Sequence, residues 1–250
     1  MKTLISGSNG MVPVIILILL LGTVVGCANS SGGVLTDNLS EPLNSATTAK
    51  FDINVGDGNL TIDALTGGEQ LLAGGTLQYF ESQGLPARTL VSFLGQTTLT
   101  LKGGSRQPWL RLPWAACNGA TEWQIHLNPT VSSEITAHSD GGNVNLNLAG
   151  MAVTRLSADT GGGNMDVVLP EDAANLSVTA KSGAGNVVVH IPSGMAAHIH
   201  ATAGMGKTTV DSRFSKIDGD AYQSPDYDGA AHKVEIMVHS SAGNVIVNTK

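Results

Sequence analysis

The stretch KSGAGNVVVHIP, residues 181–192, contains the pattern on which most of the chain is built. Gly183, Gly185 and Asn186 form a turn signal of the G-x-G-N type. Apolar residues then follow at every second position, as Val187, Val189 and Ile191. A period of two is typical of a strand with one buried face. The stretch therefore predicts a glycine corner that leads into a β-strand.

Related stretches recur along the chain when they are aligned on Asn186. The equivalent positions are Asn59, Asn143, Asn164, Lys207 and Asn244. The steps from 143 to 164, 186 and 207 are 21, 22 and 21 residues, and the step from 59 to 143 is 84, or four such units. The segment before each corner also alternates, as in Phe51, Ile53 and Val55. The spacing indicates an internal repeat of about 21 residues.

Each repeat is interpreted as strand, corner, strand. A two-strand unit cannot bury its apolar face alone, so the units are expected to stack. The predicted fold is all-β, a solenoid-like stack of two-strand repeats. Glycine admits positive φ and asparagine tolerates the left-handed region, so we assign a structural role to the corner residues. These are Gly56, Gly58, Asn59, Gly142, Asn143, Gly161, Gly163, Asn164, Gly183, Gly185, Asn186, Gly204, Gly206, Gly243 and Asn244.

The N-terminus has the features of an export signal. Lys2 precedes the apolar run MVPVIILILLL, residues 11–21, and the segment VVGC, residues 24–27, resembles a bacterial lipobox. We expect residues 1–26 to be a lipoprotein signal peptide and Cys27 to carry lipid; an uncleaved membrane anchor is the alternative. Both place the protein outside the cytoplasm, attached to the bacterial cell membrane.

The domain boundaries follow from changes in pattern. Residues 27–50 are small and polar without a sustained period, which predicts a flexible tether. Residues 51–250 form the predicted β-repeat domain, of which 51–132 is less regular. A net charge of −7 argues against a nucleic-acid partner.

Several stretches resemble the toast-rack families, β-repeat domains of LiaF-like and related bacterial envelope-stress proteins. They are FDINVGDGNLTI (51–62), GGTLQYF (74–80), the serial G-x-G-N strands and AYQSPDYDGAAHKVEI (221–236). The resemblance covers nearly all of 51–250. It implies an extracytoplasmic β-stack linked to envelope stress or antibiotic response, with no established catalytic residues. The chain departs from those families in lacking several membrane-spanning helices.

The residues that could bind a metal or act in catalysis are better explained by structural roles. His198 and His200 share one strand face, as metal ligands often do, but equivalent positions in other repeats are mixed polar residues. The acidic segment 218–228 does not fit a calcium loop. We therefore predict no metal, no cofactor and no enzymatic activity. The alternative is a glycan-binding or glycan-cleaving β-solenoid, in which Trp109, Trp114 and Trp123 stack on sugar.

The outward face of the predicted stack carries a candidate binding surface. Val168, Val188 and Ile246 are apolar residues at outward positions where other repeats are polar. We expect Val168 and Val188 to lie one strand spacing apart and the three residues to form an interaction surface for an envelope protein or a second copy. The opposing possibility is that the tether or residues 213–229 cover this surface.

Overall fold

A computed structural model describes residues 33–67, 70–104 and 121–250. These residues form strands, turns and two short 3-10 helices, Glu81–Gln83 and Tyr227–Gly229. The prediction of an all-β chain is confirmed. None of the described residues belongs to a helix long and apolar enough to cross a membrane. Cys27, Trp109 and Trp114 lie outside the described residues.

The first of two mixed sheets has nine strands. Most of them begin just after a glycine corner. In spatial order they are β1 (Val34–Pro42), β4 (Leu71–Phe80), β7 (Thr121–Leu127), β3 (Gly58–Ala64), β9 (Val144–Asn147), β11 (Met165–Val168), β13 (Val187–Ile191), β19 (Val245–Thr249) and β15 (Thr208–Val210).

The second sheet has ten strands, and most of them end at a corner. In spatial order they are β16 (Ser215–Asp218), β17 (Ala221–Gln223), β14 (Ala196–Ala203), β18 (Lys233–Ala242), β12 (Asn175–Ala184), β10 (Val153–Gly162), β8 (Ser132–Ser139), β2 (Thr48–Asn54), β6 (Gln96–Lys102) and β5 (Ala87–Phe93).

Alternation along the strands puts one apolar face of each sheet into a shared core. Leu60, Val144, Met165, Val187 and Val245 face one another across neighbouring parallel strands, and each is fully buried. The corresponding row of the other sheet includes large aliphatic and aromatic side chains, of which Phe51 is one. The burial of these rows stabilises the domain, because apolar area removed from water contributes about 25 cal/mol per Å².

The spatial order differs from the sequence order at two places. Asn59 and Asn143 lie on directly adjacent strands. The step of 84 residues between them therefore does not contain four stacked units, and that interpretation is wrong. The last strand pair, β18 and β19, lies between the pairs β12/β13 and β14/β15. A parallel strand can be added on either side of its predecessor, and spacing along the chain does not encode which side is used.

The predicted tether is wrong for its C-terminal part, because Val34–Pro42 is strand β1 and is paired with β4 along its length. The inward positions of β1 include Asp37 and Glu41, which interrupt the apolar alternation. Arg88 on β5 binds both carboxylates, with N···O distances of 2.7 and 3.2 Å. The charges that concealed the strand in the sequence are thus neutralised by a residue 47 and 51 positions away.

Residues 213–229 extend the ten-stranded sheet. β17 pairs antiparallel with β14, and β16 pairs antiparallel with β17. Tyr222 packs partly buried against the core, and the ring of Tyr227 lies 5.8 Å from that of His198. The segment therefore covers the side of β14 rather than the outward residues of the nine-stranded sheet.

Candidate functional site

The corner asparagines form a ladder between neighbouring strands. The Oδ1 of each asparagine accepts a hydrogen bond from the backbone N–H of the equivalent residue on the next strand, at 2.9 or 3.0 Å. In spatial order the ladder is Asn59, Asn143, Asn164, Asn186, Asn244 and Lys207. Lys207 is the last member and only donates, which explains why this position does not need an asparagine.

Side-chain hydroxyls make a second row behind this ladder. They donate to the backbone carbonyls of glycines on the neighbouring corner, at 2.7–3.0 Å. The donors are Ser139, Thr160, Ser182 and Ser240, and the acceptors are Gly58, Gly142, Gly163 and Gly185. The polar groups of the corners thus bind one another, which is the arrangement expected of a structural element.

Backbone of one corner also approaches the glycines of the next. A Cβ added to Gly185, whose φ is +145°, would lie 2.1 Å from the carbonyl oxygen of Gly163. The same 2.1 Å separates a Cβ on Gly163 from the oxygen of Gly142. A side chain at either position would overlap backbone atoms, so these corners pack closely enough to require glycine.

The outward residues Val168, Val188 and Ile246 are each half-buried. Val188 pairs in register with Ile246 and with Asp166, whereas Val168 pairs with His190 and Asn147. The prediction that Val168 and Val188 lie one strand spacing apart is therefore wrong. They occupy adjacent strands two residues out of register, which leaves Val188 and Ile246 as a pair of adjacent apolar side chains.

A groove of about 500 Å³ lies on the outward face of the ten-stranded sheet, near the corners. It is built by three adjacent parallel strands, β10, β12 and β18, with β8 at its side. Ser157 and Thr179 supply hydroxyls to its lining, and Asp159, Lys181 and His239 supply ionisable groups. These three side chains are neighbours because their strands are in register. We call this surface the outer groove.

His138 fixes one side of the outer groove. Its Nδ1 contacts a carboxylate oxygen of Asp159 on the neighbouring strand, and its Nε2 lies 2.8 Å from a carboxylate oxygen of Asp140. Lys181 is paired in register with Asp159 on the other side and also lines the groove. Both ring nitrogens of His138 are engaged, so the ring does not offer a free base to a bound molecule.

Two opposing effects act on the pKa of His138. Partial burial disfavours the charged ring and lowers its pKa, but hydrogen bonds and charge interactions with Asp140 and Asp159 outweigh that effect and raise the pKa above its ordinary value. This cluster was not predicted from the sequence. A signal was present, because His138, Asp159, Lys181 and His239 all stand five residues before their corner anchors.

Other candidate side chains have structural contacts. The rings of His198 and His200 meet edge to face at 5.0 Å, and within the described residues no group of three or more acidic, histidine or cysteine side chains is arranged to hold a metal ion. Trp123 is 1% exposed and lies in the core, so it does not present a surface for sugar.

A protein-family model described as the N-terminal domain of toast_rack, DUF2154, matches residues 30–190. This is the toast-rack family that the sequence resemblance indicated. No curated protein is similar enough to the chain to count as a match.

Two of the solved structures to which the chain is similar come from bacteria. A crystal structure from Clostridium sporogenes, named as a candidate cell adhesion protein, is 21% identical, with a TM-score of 0.77 over 86% of this chain and 99% of that chain. One from Bacteroides fragilis, named as a candidate adhesin, is 12% identical with a TM-score of 0.29, and covers 86% of this chain and 96% of its own. The first similarity shows the fold, and the second carries no argument.

Proposed function

The chain belongs to the toast-rack family, and from that premise we propose that it is a non-enzymatic binding module outside the cytoplasm, held to the bacterial cell membrane by lipid on Cys27. The outer groove is its binding surface. The observation that carries this proposal is the in-register row of Asp159, Lys181 and His239 above the hydroxyls of Ser157 and Thr179. Such a row offers hydrogen-bond donors and acceptors along one open face.

The chemistry of the outer groove favours a polar ligand. Its ionisable groups carry opposite charges side by side, and the lining contains hydroxyls rather than large apolar side chains. A hydroxyl-rich chain of the cell envelope, such as a glycan, has the donors and acceptors to match these groups, whereas an apolar peptide does not. The open form of the groove supports binding of a chain rather than enclosure of a small molecule.

The contacts of His138 support binding without catalysis. General acid or base chemistry requires a group that can exchange a proton with a bound molecule at hydrogen-bond distance. The nitrogens of His138 are directed at Asp140 and Asp159 instead. The similar structure from Clostridium sporogenes, named as a candidate cell adhesion protein, supports the same class of function.

We further infer that the strand pairs joined by the asparagine ladder are copies of one two-strand unit of about 21 residues. The residues at equivalent positions of these pairs face one another in register, and their corner hydrogen bonds are the same from pair to pair. Val188 and Ile246 remain a second proposed contact surface, for a protein partner at the envelope.

Co-sedimentation with insoluble envelope glycan tests the proposed function. Wild-type protein is expected to sediment with purified peptidoglycan sacculi, and the double variant Asp159→Asn/Lys181→Ala to be retained several-fold less. Lys102→Ala is the matched control, because Lys102 is exposed on the same sheet face but does not line the outer groove. Equal retention of wild type and double variant, or none of the wild type, would overturn the proposal.

A further inference from the structure

Strand β5 lies at one edge of the ten-stranded sheet. It pairs with β6 on one side, and no second neighbouring strand is found among the described residues. An edge strand presents backbone N–H and C=O groups that can pair with another strand. Natural proteins commonly block such edges with charges, prolines, bulges or very short strands.

The other three sheet edges are blocked in these ways. β1 turns the acidic side chains of Asp37 and Glu41 inward and ends at Pro42. β15 has three residues, and β16 has four, including a lysine and an aspartate. β5 has seven residues without a proline. It has one inward charged side chain, Arg88, where β1 has two, and these three groups are paired with one another. β5 is thus the edge with the fewest obstacles to pairing.

Exposed apolar side chains are concentrated at the same edge. Half of the large hydrophobic residues that are exposed in the described part of the chain lie between positions 85 and 94. They are Leu85, Val91, Phe93 and Leu94, with exposed fractions of 66%, 58%, 64% and 88%. A cluster of exposed apolar side chains on a protein surface marks a contact site.

Leu94 occupies a position that costs conformational energy. It lies in the turn between β5 and β6 with φ of +48°, followed by Gly95 with φ of +79°. Asparagine followed by glycine is the favoured pair at a hairpin turn of this kind, whereas a bulky residue with positive φ is an outlier. An exposed leucine in this conformation is therefore better explained by a contact than by the stability of the turn.

We propose that β5 pairs antiparallel with β5 of a second copy of this chain, about a two-fold axis that passes near Leu90. In the register with full overlap, Phe93 faces Ala87 of the second copy and Val91 faces its Thr89. The outward side chains of β5 are uncharged, so the pairing brings no like charges together.

The positions of the two exposed leucines favour self-pairing over pairing with a different protein. Leu85 precedes the start of β5, and Leu94 follows its end. An antiparallel two-fold arrangement brings Leu94 of each copy beside Leu85 and Pro86 of the other. The apolar residues at both ends of the strand are then covered by one symmetric interaction, as isologous interfaces require. The proposal does not depend on the outer groove.

Photo-cross-linking in the full-length protein tests which molecule contacts the edge. A photoreactive amino acid replaces Val91 in cells, and a product of twice the mass of the chain is expected. Ile217 on β16 provides the matched control, because its exposed fraction of 55% is close to that of Val91 and it lies on a different edge strand. A product with another protein, or equal dimer yield from both positions, would overturn the proposal.

Sedimentation of the purified full-length protein in detergent tests the same contact without cross-linking. Wild type is expected to dimerise, and Val91→Lys/Phe93→Lys to dissociate with a Kd raised at least about tenfold. Leu94→Asn retains a residue suited to the left-handed turn, so it is expected to weaken the dimer without lowering Tm. A wild-type monomer at all concentrations, or variants with unchanged Kd and Tm, would contradict self-pairing through β5.

Discussion

The side-chain Oδ1 of Asn164 accepts a hydrogen bond from the backbone N–H of Asn186 at 3.0 Å. The two residues lie at equivalent corners of adjacent strands, 22 positions apart in the chain. Asn164 is also a donor, since its own N–H binds the Oδ1 of Asn143. Each interior asparagine of the ladder therefore accepts from the backbone N–H of one neighbour and donates its own N–H to the side chain of the other.

Asn164→Ala is expected to lower the free energy of unfolding by roughly 0.5–1.5 kcal/mol, because the N–H of Asn186 loses its partner. Chemical denaturation measures the change. Lys207→Ala is the matched control at the end of the ladder, where the side chain accepts no ladder bond. We expect the control to stay within about 0.5 kcal/mol of wild type. Equal losses in the two variants would show that the ladder does not stabilise the fold.

Gly185→Ala is expected to destabilise the domain by at least about 2 kcal/mol, because the new Cβ would overlap the backbone of Gly163 at a positive φ. Gly194→Ala is the control, since a Cβ there meets no atom within 4 Å. Thermal unfolding compares the two variants with wild type. If Gly185→Ala keeps the wild-type Tm but loses binding to envelope glycan, the corner contributes to a ligand site rather than to stability.

The alternation after each corner allowed much of this fold to be predicted from sequence, because a buried face leaves a period of two at residues such as Val187 and Val189. Strand β1 could not be predicted in the same way. Its inward Glu41 is compatible with burial only because Arg88 is close in space, and sequence alone does not reveal that proximity. The position of β18 and β19 was hidden for a related reason, since parallel pairing is indifferent to chain order.

The outer groove was predictable in part. His138 and Asp159 stand at equivalent positions of consecutive corners, so parallel register places them side by side. The sequence does not reveal that His138 also reaches Asp140 or that an open groove forms beside it, because both depend on side-chain orientation. The predicted contact between Val168 and Val188 was wrong because the two residues belong to different outward rows. Val168 lies four residues after its corner asparagine, and Val188 lies two residues after its own.

Cys27→Ser is expected to leave the precursor unprocessed and without lipid, because the thiol is the proposed site of lipid attachment. Fractionation of a bacterial culture, with the precursor and mature masses measured, checks both effects. Cys117→Ser serves as the control, since Cys117 has no part in the lipobox. Unchanged membrane association and mass in Cys27→Ser would favour an uncleaved anchor.

His138 is expected to make stability depend on pH. Its pKa is raised in the folded protein by Asp140 and Asp159, so its protonated form stabilises the fold. That contribution is fully present below the ordinary histidine pKa of 6.5 and is lost as pH rises through the raised value. The stability difference between wild type and His138→Gln should therefore be larger at pH 5.5 than at pH 8.5.

An NMR titration of the His138 ring gives a direct check. We expect Asp140→Asn to lower its pKa, because one of the two carboxylates that stabilise the charged ring is removed. On the opposite side His138 is paired with Asn54, which is neutral. Asp218→Asn, on a strand at the sheet edge, is the control. A His138 pKa that is the same in wild type and Asp140→Asn would show that the contact does not stabilise the charge.

Arg88 joins the edges of the two sheets, and its removal is expected to cost about 3 kcal/mol at neutral pH. Burial raises the pKa of Glu41, while the charge and hydrogen bond of Arg88 lower it by a smaller amount. In Arg88→Met the buried carboxylate at position 41 loses its partner, and Asp37 loses the same guanidinium. The expected loss is therefore largest when both acids are ionised.

The pH dependence distinguishes loss of charge pairing from loss of packing. Glu41 has a raised pKa in the fold, so its protonated form is favoured and ionisation becomes costly as pH rises. The penalty of Arg88→Met should thus shrink as pH falls through the raised pKa of Glu41, which lies above its ordinary value of 4.5. Adding Glu41→Gln should recover part of the stability at neutral pH, since no buried charge remains at that position.

Lys50→Met is the control, because the Lys50–Glu134 pair is half exposed and should contribute less than about 1 kcal/mol. A penalty for Arg88→Met that is the same at pH 4 and pH 7, and unaffected by Glu41→Gln, would mean that Arg88 stabilises this end of the domain by packing alone.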